Sequence, residues 1–217
     1  MRFSAVLFDL DGTLLDTLED LADAVNRALA AHDFPPHPVA DFRYFVGDGS
    51  TKLIERSLPK GRRDAATIRE CLAQFKREYA LNWNVKTRPY PGVAEMLDGL
   101  AERKVRLAVL SNKMDAFTRQ CVEALLPRWK FEVILGQREG IAVKPDPGGA
   151  LEVARLMRLP PAQFLYLGDT SIDMKTARGA GMHPVGALWG FREREELETG
   201  GAESLIARPQ ELPALLY

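Results

Sequence analysis

This sequence of 217 residues has few cysteines and no long apolar run, and neither sign of charge dominates it. Its two cysteines, Cys71 and Cys121, are too far apart for a Cys-x-x-Cys redox pair or a zinc knuckle, so we expect two buried thiols in a reducing compartment. No apolar stretch approaches membrane-spanning length. The apolar run at the N-terminus is interrupted at Asp9, unlike that of a signal peptide. We therefore predict a cytoplasmic protein without a membrane segment.

The charge balance excludes several classes of partner. There are 29 basic and 30 acidic residues, and this gives no reason to expect nucleic acid or an anionic membrane as partner.

The histidines His32, His37 and His183 follow no metal-binding spacing, so surface or structural roles are expected. The charged run 192–198 predicts a solvated helix face, and residues 189–191 are expected to pack at the sheet edge.

The most informative stretch begins at Asp9 and follows a short apolar run, 5–8. This apolar run predicts a buried strand. Asp9 and Asp11 come directly after it, and alternate residues of a strand lie on the same side. Two carboxylates held close raise each other's pKa, so we expect a hard cation such as Mg²⁺ to neutralise them. A bare Asp-x-Asp is common, however, and by itself it is more often an ordinary loop entry.

The order of apolar patterns predicts the architecture. From 16 to 86 the spacing is helical, with a first helix capped by Thr17 and Asp20 in a capping box. A Pro/Gly-rich hinge at 87–92 follows, and after it helices alternate with apolar strand-like runs. Such alternation predicts an α/β fold with a doubly wound, Rossmann-like parallel sheet, carrying a helical insertion after the first strand.

Polar residues stand where three predicted strands end. Strand 105–110 is followed by Ser111, Asn112 and Lys113. Strand 164–167 is followed by Asp169, with Asp173 one helical turn on, and Lys144 lies in a loop after strand 131–135. In parallel sheets such ends meet in one cleft. Taken singly, these residues are ordinary caps, dipole partners or solvated loop charges. Together they offer acids for a metal and groups for phosphate oxygens, a set suited to phosphoryl transfer.

These four motifs, in this order, resemble those of the haloacid dehalogenase superfamily over essentially the whole chain. The resemblance implies a core domain of residues 1–15 and 88–217 and a helical cap domain of residues 16–87. It implies a Mg²⁺-dependent phosphomonoester hydrolase that works through an aspartyl-phosphate. The implied catalytic residues are Asp9 as nucleophile, Asp11 as acid and base, and Lys144, which should pair with Asp9. Phosphate binding is implied for Ser111, Asn112 and Lys144. Metal binding is implied for Asp9, the Asp11 backbone carbonyl, Asp169 and, in the outer shell, Asp173.

Four local strings are most similar to phosphoglycolate phosphatases, at 45–49, 88–93, 111–113 and 144–147. This similarity implies a small phosphorylated metabolite, 2-phosphoglycolate, as substrate. We expect the turn at Gly47 and Gly49 to face the cleft, with Arg43 and Lys52 nearby to meet the substrate carboxylate. An equally simple reading is that the two glycines only form a tight turn.

Other functions stay open at this point. A dehalogenase of the same fold resembles the chain less, because those enzymes need no metal and lack the acid at Asp11. A sugar-phosphate mutase would carry a histidine and an arginine where this chain has Leu21 and Ser50. A sugar phosphatase, a pyrophosphatase and a non-catalytic binding protein are further alternatives. The pattern does not decide between a monomer and a homodimer.

Overall fold

The computed structural model describes residues 2–217, and a six-stranded parallel sheet forms its centre. The strands of the chain are β1 (Ala5–Phe8), β2 (Leu15–Asp16), β3 (Arg88–Pro89), β4 (Arg106–Met114), β5 (Phe131–Gln137), β6 (Phe164–Gly168), β7 (His183–Ala187) and β8 (Ser204–Ile206). Their order in the large sheet is β5-β4-β1-β6-β7-β8, and every neighbouring pair is parallel. Strand β1 therefore lies inside the sheet, between β4 and β6.

Apolar side chains pack on both faces of this sheet, and this explains why the sequence of β1 is apolar throughout. Val6 and Phe8 belong to the larger apolar cluster, whereas Ala5 and Leu7 belong to a second cluster on the opposite face. All four side chains are fully buried. A strand buried on both faces reads as a continuous apolar run, as expected for an α/β fold. The predicted fold class is confirmed.

Helices fill the connections between the strands. Their bounds are α1 (Leu18–Ala30), α2 (Phe42–Phe45), α3 (Ser50–Ser57), α4 (Ala65–Asn82), α5 (Val93–Glu102), α6 (Asp115–Leu125), α7 (Gly148–Met157), α8 (Ser171–Ala180) and α9 (Arg194–Gly200). We call residues 18–82, which contain α1 to α4, the helical segment. Its apolar side chains join the larger cluster on the sheet, and the Tyr79 ring meets the Phe117 ring edge-on at 5.1 Å. Among residues 2–217, no helix has both the length and the apolar character needed to cross a membrane.

The chain enters and leaves the helical segment through a two-stranded antiparallel ribbon of β2 and β3. The sequence pattern did not indicate these two-residue strands. The Asp20 carboxylate strengthens the junction, because it accepts hydrogen bonds from the backbone N–H groups of Lys86 (2.9 Å) and Thr87 (2.8 Å). The two connections are thereby held side by side. The proposed division into domains 16–87 and 1–15 with 88–217 stays a prediction.

Two local predictions were wrong. Thr17 precedes α1, but its side chain caps no N–H group, and its buried hydroxyl has no hydrogen-bond partner within residues 2–217. The capping box fails because Asp20 is used at the junction instead of reaching back to Thr17. Strand β4 continues to Met114 rather than ending at residue 110, so Ser111 lies inside a strand. The two cysteines are free and buried, as predicted.

Candidate active site

The predicted strand ends do converge. Asp9 follows β1, Ser111 lies in the last part of β4, and Asp169 follows β6. Strands β4 and β6 are the two neighbours of β1 in the sheet. Above them lies a cavity of about 50 Å³. Its floor contains Asp9, Asp11 and Ser111, and its roof is formed mainly by apolar residues of the helical segment. The carboxyl edge of the sheet thus carries a mostly apolar pocket that contains several polar groups.

Three carboxylates form a buried cluster beside this cavity. Oxygens of Asp9, Asp169 and Asp173 all lie within 4.8 Å of one another. Burial, followed by the charge of Asp173, raises the pKa of Asp9 well above its usual range. The same two causes raise the pKa of Asp169 to about 7. The cluster holds more negative charge than the fold neutralises, and oxygen donors of this kind suit a hard divalent cation. The Asp11 carboxylate lies outside the cluster.

Lys144 supplies a buried counter-charge to these acids. Its ammonium lies 2.9 Å from Asp9 Oδ1 and 2.7 Å from Asp173 Oδ1, and it donates to the Leu110 carbonyl at 3.2 Å. Burial works against a charged amine, yet the charges of Asp173 and Asp9 outweigh it and raise the pKa of Lys144. The predicted pairing of Lys144 with Asp9 is confirmed. Its contact with phosphate stays a prediction.

Asp169 is held by two donors that leave its position little freedom. Thr13 Oγ1 donates to Oδ1 at 3.0 Å, and the Phe191 N–H donates to Oδ2 at 2.8 Å. Gly12 packs directly against the same carboxylate with a φ of +85°, and a Cβ there would lie 2.3 Å from Asp169 Oδ2. Gly12 is therefore required both by its backbone conformation and by the lack of space.

Asp173 is engaged on both oxygens. It forms a capping box with Thr170 at the start of α8, where its Oδ2 accepts from the Thr170 hydroxyl at 2.7 Å and the Thr170 N–H at 3.1 Å. Its Oδ1 accepts a hydrogen bond from the Lys144 ammonium. These contacts fit the expected outer-shell position, in which Asp173 orients Lys144 and adds negative charge to the cluster.

No role was assigned from the sequence to one buried cation, Lys113, although this residue belongs to the string 111–113. Lys113 Nζ lies 3.0 and 3.1 Å from the two Asp11 carboxylate oxygens, and 4.6 Å from the centre of the Tyr79 ring. Only 5% of its side chain is exposed. Its place at the predicted strand end, directly after Asn112, was the available signal. The pairing of β4 is irregular between Leu110 and Met114, so strand alternation does not predict which side chains face the cavity there.

Asn112 was expected to bind phosphate, but its side chain is engaged in hydrogen bonds within the protein. Its side-chain amide donates to the carbonyls of Gly47 (2.9 Å) and Lys144 (3.0 Å), and its oxygen accepts from the Lys144 N–H at 2.9 Å. Both amide hydrogens are therefore used within the protein, and this side chain has no donor left for phosphate. It ties the helical segment to the loop that carries Lys144. Ser111 lines the cavity and is 4% exposed.

The four residues expected to contact substrate from the helical segment separate into two groups. Gly47 and Gly49 line the cavity, as expected for a turn that faces the cleft. Arg43 instead donates to the carbonyls of Gly190 (2.7 Å) and Phe191 (3.2 Å). Lys52 pairs with Glu55 at the surface, with 56% of its side chain exposed. This geometry does not support a contact of Arg43 or Lys52 with a substrate carboxylate.

A second arginine completes the contact between the helical segment and the sheet. Arg192 was expected on a solvated face, but it is only 8% exposed and donates to the Val46 carbonyl at 3.0 Å. It also pairs with Glu196 at 3.1 Å. The first residue of the charged run is therefore buried, because its guanidinium donates a hydrogen bond to the backbone of the helical segment. Residues 189–191 do more than pack at the sheet edge: the Trp189 indole donates to the Thr13 carbonyl at 3.0 Å.

Replacing Lys144 by methionine should destabilise the metal-free protein. It removes a buried positive charge and leaves the acidic cluster uncompensated, which typically costs about 3–5 kcal/mol in the free energy of unfolding. Urea unfolding in EDTA measures the loss. Lys175→Met is the matched control, because Lys175 is exposed on α8 and should change stability by less than about 0.5 kcal/mol. Equal stability of the two variants would show that Lys144 does not neutralise the cluster.

Comparison with known proteins gives a consistent result. The family model described as "Haloacid dehalogenase-like hydrolase" matches residues 6–187. A phosphoglycolate phosphatase of Mesorhizobium japonicum is 37% identical over 195 residues, covering 89% of this chain and 86% of that protein. Another, from Nitrosospira multiformis, is 32% identical and covers 100% of this chain and 96% of its own.

Solved structures agree with this assignment. A crystal structure from Lactobacillus delbrueckii subsp. bulgaricus, of a candidate phosphoglycolate phosphatase, is 30% identical, with a TM-score of 0.93 and coverage of 100% and 99%. A haloacid dehalogenase-like family hydrolase from Streptococcus pneumoniae, 22% identical with coverage of 100% and 99%, shares the fold with a TM-score of 0.88. The family match, the full-length relatives and the acids at the strand ends lead to one conclusion: the chain belongs to the haloacid dehalogenase-like hydrolase family and is a phosphatase.

Proposed function

We propose that this phosphatase hydrolyses 2-phosphoglycolate, with Mg²⁺ as cofactor and an aspartyl-phosphate on Asp9 as intermediate. The observation that carries the proposal is the setting of Asp9. Its Oδ1 accepts from the Leu10 N–H at 2.7 Å and lies 2.9 Å from the Lys144 ammonium. Both contacts go to the same oxygen, so Oδ2 is the one available for attack on phosphorus. The substrate assignment is supported by the names of the full-length relatives.

The reaction then follows from the residues at the strand ends. An Asp9 oxygen attacks phosphorus and the bond from phosphorus to the ester oxygen breaks. Asp11, protonated at this stage, donates its proton to the departing alkoxide. In the second half, Asp11 accepts a proton from water as the water oxygen attacks the aspartyl-phosphate. Inorganic phosphate leaves, and Asp9 returns as a carboxylate.

The acidic cluster would hold the Mg²⁺. Asp9 and Asp169 are the proposed carboxylate ligands, with the Asp11 backbone carbonyl added by resemblance to the family, and Asp173 behind them. The buried oxygens with raised pKa values fit such an ion, because a divalent cation favours their charged forms. When bound, the metal supplies positive charge that offsets repulsion between the acids and an anionic substrate. Ser111 is the proposed partner of the phosphate oxygens. Lys144 would join it by giving up its hydrogen bond to the Leu110 carbonyl, the only neutral one of its three acceptors in the described residues.

The proposed cap domain is residues 16–87, which contain the helical segment. It closes the cavity from above, and the ribbon of β2 and β3 is its hinge. Reciprocal contacts hold it closed, since Arg43 reaches the loop at Gly190 and Arg192 reaches back to Val46. Opening would admit substrate and closing would exclude water. A cytoplasmic location and the choice between monomer and homodimer stay predictions.

Asp169→Asn should raise the Mg²⁺ concentration needed for half-maximal activity by at least about 10–100-fold, the size reached even by changes behind a metal ligand. We expect EDTA to abolish the wild-type activity and Ca²⁺ to restore it poorly, because Ca²⁺ prefers more ligands and longer bonds. Asp41→Asn is the control, since Asp41 is an exposed acid of the helical segment. An unchanged Mg²⁺ titration for Asp169→Asn would place the metal elsewhere.

The function itself is tested by phosphate release from a panel of phosphorylated metabolites that includes 2-phosphoglycolate, sugar phosphates and pyrophosphate. We expect 2-phosphoglycolate to have the highest kcat/KM. A clear preference for a sugar phosphate would retain the phosphatase and reject this substrate. A mutase has less support, because Leu21 and Ser50 line the cavity where that activity would need a histidine and an arginine.

A further inference from the structure

The charges around the cavity are unevenly distributed. Asp9 and Asp11 line it, and the ammonium of Lys144 is taken up behind Asp9 by two carboxylates and a carbonyl. Lys113 is the one lysine or arginine that lines the cavity in the part of the chain that the structure describes, 2–217. A second anionic group on a substrate would therefore meet a single cationic side chain in the lining of this cavity.

Lys113 is held in a setting that keeps its charge available. A buried ammonium is costly unless it is paired, and here it is paired with Asp11 at 3.0 Å. An ammonium has three N–H donors, and the two Asp11 oxygens take at most two of them. Beside it lies the Tyr79 ring, whose buried hydroxyl has no hydrogen-bond partner within residues 2–217. The neighbourhood thus retains unused donors next to a fixed positive charge.

The geometry of the reaction brings a short carboxylate to this point. A general acid lies about 2.6–3.2 Å from the oxygen that it protonates, so Asp11 must reach the ester oxygen of the substrate. In 2-phosphoglycolate the carboxylate carbon is only two bonds from that oxygen. The carboxylate therefore comes close to the cation that already contacts Asp11. Once Asp11 has given its proton to the leaving group, the two carboxylates would repel each other without that cation.

We infer that Lys113 recognises the substrate carboxylate and selects short phosphooxy acids in which the carboxylate is one carbon from the ester oxygen. This inference rests on the proposed function, because it takes Asp11 as the acid that protonates the leaving group. Lys113 then neutralises Asp11 and the leaving group together. It takes the role that the sequence pattern had suggested for Arg43 and Lys52.

The test compares two substrates of equal chain length, 2-phosphoglycolate and ethyl phosphate, by their kcat/KM values. We expect the wild type to prefer 2-phosphoglycolate by about 10–100-fold, the usual effect of a charge-assisted hydrogen bond at a desolvated site. Lys113→Met should reduce this ratio to near one. Any loss common to both substrates reports the effect on Asp11, so the ratio isolates carboxylate recognition.

The controls distinguish Lys113 from other cations. Lys76→Met, an exposed position on α4, should keep the wild-type ratio. Lys113→Arg should keep part of the preference, because it retains the charge with a different shape. A ratio unchanged in Lys113→Met would overturn the inference, and so would a ratio lost in Lys52→Met instead.

A binding experiment covers the case in which Lys113→Met folds poorly because Asp11 is left unpaired. Calorimetry compares Asp11→Asn with the double variant Asp11→Asn/Lys113→Met, in which both members of the pair are neutral. The double variant should bind 2-phosphoglycolate about 10–100-fold more weakly and inorganic phosphate equally well. Equal weakening of both ligands would reject carboxylate recognition.

The outcomes also separate this inference from the proposed function. If the wild type releases phosphate from neither ester, the proposed function fails, whereas the binding experiment still decides the role of Lys113. If the wild type hydrolyses both esters equally well, the phosphatase activity stands and the inference about Lys113 is rejected.

Discussion

Asp9→Asn should abolish turnover, with a loss of at least about 10³-fold in kcat on every phosphomonoester. An amide cannot form the covalent intermediate, so the loss should not depend on the leaving group. The substitution keeps the size of the side chain and its acceptor oxygen for the Leu10 N–H. It also removes one negative charge from a cluster in which burial and Asp173 already raise the pKa of Asp9. We therefore expect the metal-free variant to be at least as stable as the wild type.

The measurement pairs steady-state phosphate release with thermal unfolding in EDTA. Retained stability with lost activity assigns the effect to chemistry rather than to folding. A complementary experiment traps the intermediate: acid quenching during turnover of the wild type should leave phosphate on Asp9, detected by peptide mass spectrometry. Near-normal turnover of Asp9→Asn, or trapped phosphate on another residue of the wild type, would reject Asp9 as the nucleophile.

Asp11→Asn should lower the rate by roughly 10²–10⁴-fold, the usual size of general acid–base catalysis. Here the loss in the first step should depend on the leaving group. p-Nitrophenolate needs no proton to depart, so the loss on p-nitrophenyl phosphate should be smaller than on 2-phosphoglycolate. Burst kinetics check this, because formation of the aspartyl-phosphate from the nitrophenyl ester should stay fast while its hydrolysis slows.

The environment of Asp11 adds a second expectation. Its carboxylate is the partner of the buried Lys113 ammonium at 3.0 Å, so Asp11→Asn should also destabilise the fold. Adding Lys113→Met to Asp11→Asn should recover part of that loss, because the unpaired buried charge is removed. Equal losses in the rate of aspartyl-phosphate formation from esters with good and poor leaving groups would argue against the acid role. Additive stability effects would argue against the pair.

Local chemistry explains how much of the fold and site the sequence could predict. The apolar run of β1 is buried on both faces, so its composition alone indicates an inner strand of a parallel sheet. Asp9 and Asp169 directly follow such strands, and parallel strands end at a common edge. The convergence of these acids needed no knowledge of individual contacts, whereas the pairing of Lys144 with Asp9 was predicted from the resemblance of the motifs. Helical spacing likewise predicted α4 without knowledge of its partners.

The remaining features depend on contacts between residues far apart in the chain, and only the tertiary structure decided them. Asp20 looked like a capping residue, but the connection at Thr87 returns beside α1 and takes its carboxylate. Arg192 looked solvated, but the backbone of the helical segment buries it. Lys113 lies in β4 and Asp11 in the segment after the neighbouring strand β1, and the packing of these two segments brings their side chains together. Periodicity predicts which face of an element is buried, but polar partners depend on how separate elements are packed.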